Sequence, residues 1–406
     1  MTHTVFRYNP FDPDVMADPL PYYRVLRDEH PVYYIDELDT FALSRFDDIW
    51  TVLGTTDGTF VASEGTLPSA AVLEHRNSGP VPDPPLHPMV FHANYDSPVY
   101  ENVRRCTSAQ FRPRSAAKLA DRIRTLANER LDELLPRGRF DLTQDFGGIV
   151  AATMTCGFLG LPEELAPEVL ATVNGGTLAQ PGEGVEIANA RPGYLSYLTP
   201  IIEKRRAAGA DGSEPIADAL INFRLDDGSA LGDVEAATQM LAVFIGATET
   251  VPKVTATGLW HLGRHPDQLA AVRADLDANV PVAREEIIRY SAPAQWFART
   301  VRHPYEIHGV TLQPGQRVIA LLGSAARDER EYPDPDSFIW NRPIERLLSF
   351  GHGQHFCMGV HVARLEIAIM ITEFLKRVGE YRIDTGAASR PPSSFQWGWN
   401  NIPVEV

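Results

Sequence analysis

The most informative part of the chain reads Ser349-Phe350-Gly351-His352-Gly353-Gln354-His355-Phe356-Cys357-Met358-Gly359, and an apolar-periodic segment starting at Val360 follows it. The glycines allow the backbone to fold tightly against a flat ligand. A cysteine just before a helix N-terminus faces the positive end of the helix dipole and free N–H groups, which stabilise a thiolate. This is the environment that a metal-bound thiolate needs.

Composition and charge limit the classes of protein to which the chain can belong. It has 406 residues, 44% of them hydrophobic, and a formal net charge of −16. A large core is therefore possible, and the acidic balance argues against a nucleic-acid partner. No apolar run is long enough to span a bilayer and no signal peptide opens the chain, so no membrane anchor is expected. Three scattered cysteines, Cys106, Cys156 and Cys357, suit a reducing cytoplasm, which is the expected location.

The pattern along the chain favours helix over strand. Helical patterns cover residues 98–135, 143–158, 183–208, 215–227, 233–263, 266–276, 281–290 and 357–378. Strand-like patterns occur around 32–43 and 297–318. Because the order is mixed rather than alternating, a doubly wound sheet is not expected. The sequence predicts one domain over residues 1–406, mainly α with smaller β-sheet regions (α+β), the β part coming from the N-terminal strands, residues 297–320 and a C-terminal hairpin.

One predicted helix, from Asp233 to Leu262, is long enough at roughly 45 Å to cross the whole molecule. Its middle is apolar all round, which is typical of a buried helix. Thr248-Glu249-Thr250 follows directly, and an acid between two alcohols is costly to bury unless it has partners. Pro252 lacks an N–H and predicts a kink, which either opens the groove beside Thr250 or only fits the helix to its neighbours.

The cysteine stretch resembles the haem-binding loop of the cytochromes P450, Phe-Gly-x-Gly-x-His-x-Cys-x-Gly, at every fixed position. Gly246-Ala247-Thr248-Glu249-Thr250 is similar to the family's oxygen-activation motif, with Ala247 in place of the usual second glycine. The resemblance implies a soluble, bacterial-type haem-thiolate monooxygenase whose long central helix crosses the haem. Cys357 would be the axial ligand of haem b, and Glu249 and Thr250 would deliver protons to dioxygen. The alternative for Thr250 is a purely structural bond back to the Gly246 carbonyl.

The resemblance also implies residues that hold the haem and its loop. Propionate contacts are expected from Arg104, Arg299 and His355, and Tyr100 stands where the family usually has a histidine. Asn102 replaces a family arginine. The other expected cofactor-binding residues are Phe350, Gly351, Gly359, Gly246 and Ala247. Glu286 and Arg289 match the family's Glu-x-x-Arg pair, which with Arg342 forms a structural clamp for the cysteine loop.

A substrate pocket is expected where the central helix, the strand after the Glu-x-x-Arg pair and a C-terminal hairpin tip meet, with the lining residues Ala242, Ile245, Gln295, Trp296, Phe395 and Gln396. This lining is mostly apolar, with two amides and no charge. It predicts a hydrophobic small-molecule substrate with one or two polar groups, such as a terpenoid, a branched lipid or a polyketide-like compound. Residues 81–89 and 174–184, rich in proline and glycine respectively, are expected to cover the pocket.

One segment departs from the acidic balance, because residues 104–118 carry basic residues and no acidic one. Such a run is either a solvated helix face or a docking patch for an acidic ferredoxin-type electron donor. Beyond Arg104, the patch consists of Arg105, Arg112, Arg114 and Lys118. Electrons would come indirectly from NAD(P)H through a ferredoxin reductase, and the protein is expected to be a monomer.

Other interpretations use the same residues. His352, His355, Cys357 and His361 could form a mixed zinc site, but their spacing matches no usual zinc finger and leaves the acid–alcohol pair without a role. Covalent c-type haem needs Cys-x-x-Cys-His, which is absent. Two further alternatives keep the haem-thiolate: a ligand-binding protein without turnover, and an enzyme that couples phenols or uses peroxide directly.

Overall fold

The computed structural model describes residues 6–68, 73, 92–177, 187–225, 227–391 and 393–406. Helices dominate it, as the sequence predicts. The α-helices are α1 (Pro13–Ala17), α2 (Leu20–Glu29), α3 (Phe46–Gly54), α4 (Val99–Ser108), α5 (Pro113–Ala117), α6 (Ala120–Leu134), α7 (Ile149–Leu159), α8 (Ala166–Thr177), α9 (Ile187–Ala208), α10 (Pro215–Asn222), α11 (Asp233–Arg264), α12 (Pro266–Ala274), α13 (Leu276–Ser291), α14 (Leu322–Ala325) and α15 (Val360–Arg377). A π-helical turn, Leu142–Gly148, leads into α7.

The strands are few and short. They are β1 (Val32–Ile35), β2 (Thr40–Leu43), β3 (Phe60–Val61), β4 (Arg139–Asp141), β5 (Phe297–Val301), β6 (Tyr305–Ile307), β7 (Val310–Leu312), β8 (Arg317–Ala320), β9 (Arg382–Ile383) and β10 (Pro403–Glu405). The largest sheet has the order β1-β2-β8-β5-β3, in which β2 and β8 are parallel and the other pairs antiparallel. A second sheet, β4-β10-β9, brings the C-terminal strand beside the π-helical turn, and β6 and β7 form a hairpin. This β content makes the molecule α+β, as predicted.

Helix α11 is the centre of the helical part. Its 32 residues span about 48 Å, and it packs against α7, α9, α15 and the π-helical turn. Glu235 accepts a hydrogen bond from the Gly232 N–H at its N-terminus (2.6 Å), which satisfies a group that no helical carbonyl can reach. Pro252 lies inside the helix, and a side chain at Gly147 would come within 3.1 Å of the Pro252 Cα atom. This close approach supports the interpretation that Pro252 fits the helix to its neighbour.

Several predicted boundaries were wrong for identifiable reasons. The pattern over 98–135 is divided into α4, α5 and α6, because Arg112 is extended before Pro113, which begins a new helix. Helix α13 starts at Leu276 rather than 281, since Asp275 caps it by accepting from the Ala278 N–H (3.1 Å). Residues 81–89 and 178–184, predicted to cover the pocket, lie outside the described residues.

Within the described residues, no helix combines the length and the apolar character that a membrane crossing requires. The buried apolar side chains form three large clusters. One lies around the five-stranded sheet, one around the first half of α11 with α7 to α10, and one around its second half with α6, α13 and α15. The residues of α11 that the sequence predicts to be functional therefore lie where two helical clusters meet.

Candidate active site

The cysteine loop is held in shape by its own backbone and by α3. The Cys357 N–H donates to the Phe350 carbonyl (2.9 Å), which closes the loop just before α15. Gly351 and Gly353 have φ near +69° and +68°, a region that favours glycine. A side chain at Gly353 would come within 2.1 Å of the Leu53 carbonyl oxygen, so only glycine allows this approach.

The environment of the Cys357 sulfur combines burial with positive charge. Burial raises the pKa of the Cys357 thiol, while the N–H groups of Gly359 and Val360 and the guanidinium groups of Arg104 and Arg364 lower it in part. The two N–H groups belong to the start of α15, where helical carbonyls cannot pair with them. The loop thus offers a sulfur surrounded by donors and cations, which suits an anionic metal ligand.

The expected clamp residues meet in the interior behind the loop. Arg289 donates to both carboxylate oxygens of Glu286 (2.6 and 2.8 Å), and Arg342 Nε donates to both (3.2 and 3.1 Å). The Ile339 N–H adds a fifth bond at 2.9 Å. Glu286 and Arg289 are completely buried. The carboxylate joins α13 to the segment that leads into the cysteine loop.

A second ion pair on α13 was missed by sequence reasoning. Glu285 accepts from Arg364 of α15, with Nη2 to Oε2 at 2.7 Å and Nε to Oε1 at 3.0 Å. Arg364 also lies over the Phe350 ring, 4.9 Å from its centroid. The sequence signal that could have identified Arg364 is its position seven residues after Cys357, in the first turns of the helix that follows the loop.

The residues expected to contact the haem propionates gather on one side of the loop. The Tyr100 ring lies 4.2 Å from that of His355. Arg104 donates to the Tyr100 hydroxyl and to the Phe356 carbonyl (2.7 Å), so it also fixes the loop backbone. Burial lowers the pKa of Arg299 to about 10, against the opposing effects of Asp96 and Tyr100. Within the described part of the chain, no carboxylate is close enough to Arg299 to form an ion pair with it.

One face of α11 is open in the middle of an otherwise buried helix. Ala242, Ile245 and Thr250 are half-buried and Gly246 is exposed, while their neighbours on the other faces are buried. A side chain at Gly246 would meet nothing within 4 Å. Helix α11 packs against α15, the helix that the cysteine loop starts, and Ile245 and Met358 both contact one large apolar cluster. Thr250 Oγ1 donates to the Gly246 carbonyl (3.0 Å), as the structural alternative expects, and remains partly exposed.

Glu249, the expected proton donor, is not on the open face. It is 4% exposed and forms an ion pair with Lys253, one turn further along α11. The Thr177 hydroxyl at the end of α8 donates to the same oxygen, Oε1, at 2.9 Å. Lys253 was missed, although its spacing of four residues from Glu249 is typical of a helical ion pair.

Two of the residues expected to line the pocket are placed elsewhere. Trp296 is 2% exposed, its ring belongs to the cluster around the five-stranded sheet, and its Nε1 donates to the Ser394 carbonyl (2.8 Å). Gln295 is buried, with its amide bonded to the Tyr23 hydroxyl (2.8 Å) and the Ala292 carbonyl (3.1 Å). Both side chains are thus buried and hydrogen-bonded within the protein, Gln295 to α2 and Trp296 to the C-terminal segment.

Of the two C-terminal residues expected to line the pocket, one is accessible and the other is buried. Phe395 is half-buried and lies 5.4 Å from Phe297, centroid to centroid. Gln396 is buried, and its Oε1 accepts from Lys253 (2.7 Å), so it supports the acid of α11 and does not present a free amide. The apolar part of the predicted lining, Ala242, Ile245 and Phe395, is therefore the part that stays accessible.

The basic patch is on the surface. Arg105, Arg112, Arg114 and Lys118 are all exposed, on α4, at the start of α5 and just after it. The zinc alternative receives no support, since no metal-binding group of three His, Cys, Asp or Glu side chains occurs among the described residues. His352 instead stacks on Trp50, 3.6 Å between ring centroids.

Glu366 in the middle of α15 is a further residue that sequence reasoning missed. It is 2% exposed, and burial raises its pKa to about 8. Its carboxyl group therefore stays protonated in the folded protein at neutral pH, whereas it ionises in the unfolded chain above about pH 4.3. Folding then binds a proton, and this group makes the protein less stable as pH rises from about 4.3 to 8.

We expect Glu366→Gln to remove this loss. The variant should match the native protein near pH 4 and exceed its unfolding free energy at pH 8 by on the order of 3–5 kcal/mol. The measurement is denaturant unfolding at a series of pH values. Glu380→Gln, at an exposed position, is the control and should leave the profile unchanged. A difference between Glu366→Gln and the native protein that does not vary with pH would contradict the assignment.

The sequence profile described as "Cytochrome P450" matches residues 184–397. "Putative cytochrome P450 123" of Mycobacterium tuberculosis is 31% identical over 98% of this chain and 96% of its own length. The chain belongs to the cytochrome P450 family. "Cytochrome P450 monooxygenase PikC" of Streptomyces venezuelae is 30% identical over 95% of this chain and 88% of that protein.

Solved cytochrome P450 structures have the same fold. A mutant of P450 EryK in complex with erythromycin B superposes with a TM-score of 0.82 at 26% identity, over 96% of this chain and 97% of that one. Cytochrome P450 CYP109Q5 from Chondromyces apiculatus has a TM-score of 0.80 at 26% identity, with 98% and 97% covered. Family membership makes the chain a monooxygenase of the haem- and iron-binding type.

The residues present suit a haem. Arg299 is a buried cation without a carboxylate partner among the described side chains, so it can bind an anionic group. Gly246 leaves space on α11, and a side chain at Gly359 would lie 4.0 Å from the Cys357 sulfur, in ordinary contact only. The chain thus offers a cysteine sulfur, an open helix face and a buried arginine that such a group can use.

Proposed function

We propose that this cytochrome P450 hydroxylates or epoxidises a hydrophobic small molecule, with Cys357 as the axial ligand of haem b and electrons from an acidic ferredoxin-type protein. The observation that carries the proposal is the open face of α11, which leaves Ala242, Ile245, Gly246 and Thr250 accessible in a buried helix that packs against α15, the helix following the cysteine loop. When bound, haem supplies the oxidising chemistry that transfers one oxygen atom of dioxygen.

The first contribution of the protein would be to stabilise and hold the Cys357 sulfur. The N–H groups of Gly359 and Val360 donate towards the Cys357 sulfur and stabilise its anionic form. Arg104 fixes the carbonyls on the N-terminal side of Cys357, and the Glu286 clamp holds the preceding segment. The loop is thus preorganised, so little reorganisation is needed when the sulfur binds a metal.

The proton path would use Thr250 and Glu249 of α11. The Thr250 hydroxyl is partly exposed and can turn from the Gly246 carbonyl to donate a proton at the open face. The Glu249 carboxylate has its Oε1 atom fixed by Lys253 and Thr177, whereas Oε2 has no hydrogen bond to the described residues. Oε2 is therefore the atom that would pass protons, through water, to Thr250.

Thr250→Ala tests this role. When the hydroxyl is removed, we expect the rate of oxygen transfer driven by NAD(P)H and a ferredoxin system to fall by about 10²-fold. The electrons should instead reduce dioxygen to hydrogen peroxide. Turnover driven by added peroxide should be preserved. Product, NAD(P)H and peroxide are measured together, with a ligand first found by a screen for spin-state shifts. Thr250→Ser keeps the hydroxyl and is the control; unchanged coupling in Thr250→Ala would instead favour an enzyme that uses peroxide directly.

The substrate class follows from the accessible lining. Ala242, Ile245 and Phe395 are apolar, and the two amides expected beside them, Gln295 and Gln396, are already bonded within the protein. A hydrophobic substrate such as a terpenoid, a branched lipid or a polyketide-like compound fits this lining. Tight binding of an acidic aromatic compound in the screen, ahead of neutral apolar compounds, would contradict it.

The charge distribution supports an acidic electron donor. Arg105, Arg112, Arg114 and Lys118 form an exposed positive patch on a protein of net charge −16, which favours an acidic partner at this surface. Arg112→Glu with Lys118→Glu should slow reduction by an acidic ferredoxin by about tenfold at low salt, and the difference should shrink as salt screens the charges. Stopped-flow reduction measures it. Lys204→Glu with Arg137→Glu, two exposed residues outside the patch, is the control with the same change in net charge; an equal effect of this control would show that only net charge matters.

A haem-thiolate protein that binds ligands without turnover is the second candidate. It would need no acid–alcohol pair, whereas this chain keeps Thr250 accessible and fixes Glu249 by two donors. A ligand that shifts the spin state but yields no product with either electron donor or peroxide would favour this candidate.

A further inference from the structure

Lys253 is a buried lysine on α11 that no step above requires as a reactant. It is 4% exposed, as is its ion-pair partner Glu249. A lysine is seldom buried to this extent without a specific partner. Its position four residues after Glu249 brings both side chains to the same face of the helix.

The ammonium group of Lys253 links α11 to the C-terminal turn. Its Nζ donates to Gln396 Oε1 at 2.7 Å as well as to Glu249. Gly398, at φ +133°, lies over the lysine stem, and a side chain there would come within 3.3 Å of the Lys253 Cβ atom. The turn around Gln396 and Gly398 therefore covers the lysine and supplies its second acceptor.

The carboxylate of Glu249 is held asymmetrically. Both donors, Lys253 Nζ and the Thr177 hydroxyl, bind Oε1, and Oε2 has no partner among the described residues. The ion pair also affects Tyr194 of α9, since burial and the negative charge of Glu249 raise the pKa of the Tyr194 phenol. The acid thus joins α8, α11 and, through the lysine, the C-terminal turn.

We propose that Lys253 is a positioning residue that anchors Glu249 through one carboxylate oxygen and leaves the other oxygen free to transfer protons. The inference rests on the proposed role of Glu249. Without Lys253, Glu249 would be a buried acid with one neutral donor, so it would either take up a proton or turn towards other donors. Either change removes the ionised, oriented Oε2 atom, whereas the lysine itself need not exchange a proton.

The first test measures the pairing without reference to activity. Lys253→Met and Glu249→Gln each leave one buried charge unpaired, and each should lower the melting temperature of the holoprotein by several degrees. The double variant removes both charges and should recover much of that loss, because the two residues are coupled. Lys376→Met removes a half-exposed lysine from its i,i+3 pair with Glu373 and should change the melting temperature little. Additive losses in the double variant would overturn the proposal.

The second test separates positioning from stability. Below the melting temperature of every variant, Lys253→Met should raise the peroxide released per NAD(P)H to the same level as Glu249→Gln, and the double variant should be no worse than Glu249→Gln alone. Lys253→Arg keeps a cationic donor and should release less peroxide than Lys253→Met. If Glu249→Gln raises peroxide release and Lys253→Met does not, the inference about Lys253 fails while the proposed proton path stands. If Glu249→Gln itself leaves coupling unchanged, the proposed role of Glu249 fails.

Discussion

Replacing Cys357 by serine is expected to abolish the haem-thiolate band in the CO-difference spectrum of the reduced protein and to abolish turnover. A serine hydroxyl does not ionise at neutral pH, so it cannot supply the electron-rich anionic ligand that favours O–O cleavage. The serine oxygen also gains little from the Gly359 and Val360 N–H groups, since these stabilise an anion at that position.

The control is Cys106→Ser. Cys106 is a half-buried cysteine on α4, and burial raises the pKa of its thiol to about 11. This variant should keep the thiolate band and the activity. A thiolate band that survives in Cys357→Ser would move the ligand to another residue, and a band lost in both variants would point to general damage of the haem site.

Glu286→Gln should cause the largest loss of stability. The native carboxylate accepts from Arg289, Arg342 and the Ile339 N–H in a fully buried site. A neutral amide leaves two buried guanidinium groups without a counter-charge, which should cost about 3–5 kcal/mol of unfolding free energy. Denaturant unfolding measures this loss. Haem retention on dialysis should fall with it, because the clamp leads directly into the cysteine loop.

Asp121→Asn is the matched control for the clamp. Asp121 also forms an i,i+3 ion pair with an arginine, Arg124, at 3.0 Å, but its side chain is 98% exposed. Its loss should change the unfolding free energy by less than about 1 kcal/mol. If Glu286→Gln and Asp121→Asn lowered the unfolding free energy by similar amounts, burial would not be the reason that the clamp stabilises the protein.

The sequence predicted best what depends on neighbours along the chain. The cysteine loop could be predicted because its glycines, its sulfur and the following helix N-terminus are contiguous. The length of α11 was predicted to within two residues at its C-terminal end, because a long apolar pattern continues through Pro252. The Glu286–Arg289 contact also follows from helical spacing, and the structure adds that it is completely buried.

What could not be predicted depends on which way a side chain turns in three dimensions. Trp296 was expected in the pocket, but it turns into the cluster around the sheet, a choice that a single extended segment does not reveal. The unusual proton affinity of Glu366 arises from helices that pack over it and has no local signature. Lys253 could have been found from its spacing, whereas its bond to Gln396 joins residues 143 positions apart.

The neighbouring glutamates of α13 have a consequence for how the family's catalytic loop can evolve in this chain. Glu286 binds Arg342 before the loop, and Glu285 binds Arg364 after it, so one rigid turn of helix sets both ends of the intervening segment. If residues were inserted or deleted between the two arginines, the segment would have to bulge or stretch, because both of its ends are held by ion pairs to α13. A change in the number of residues between Arg342 and Arg364 would therefore strain one of the two ion pairs, whereas a change of side chain within the segment need not.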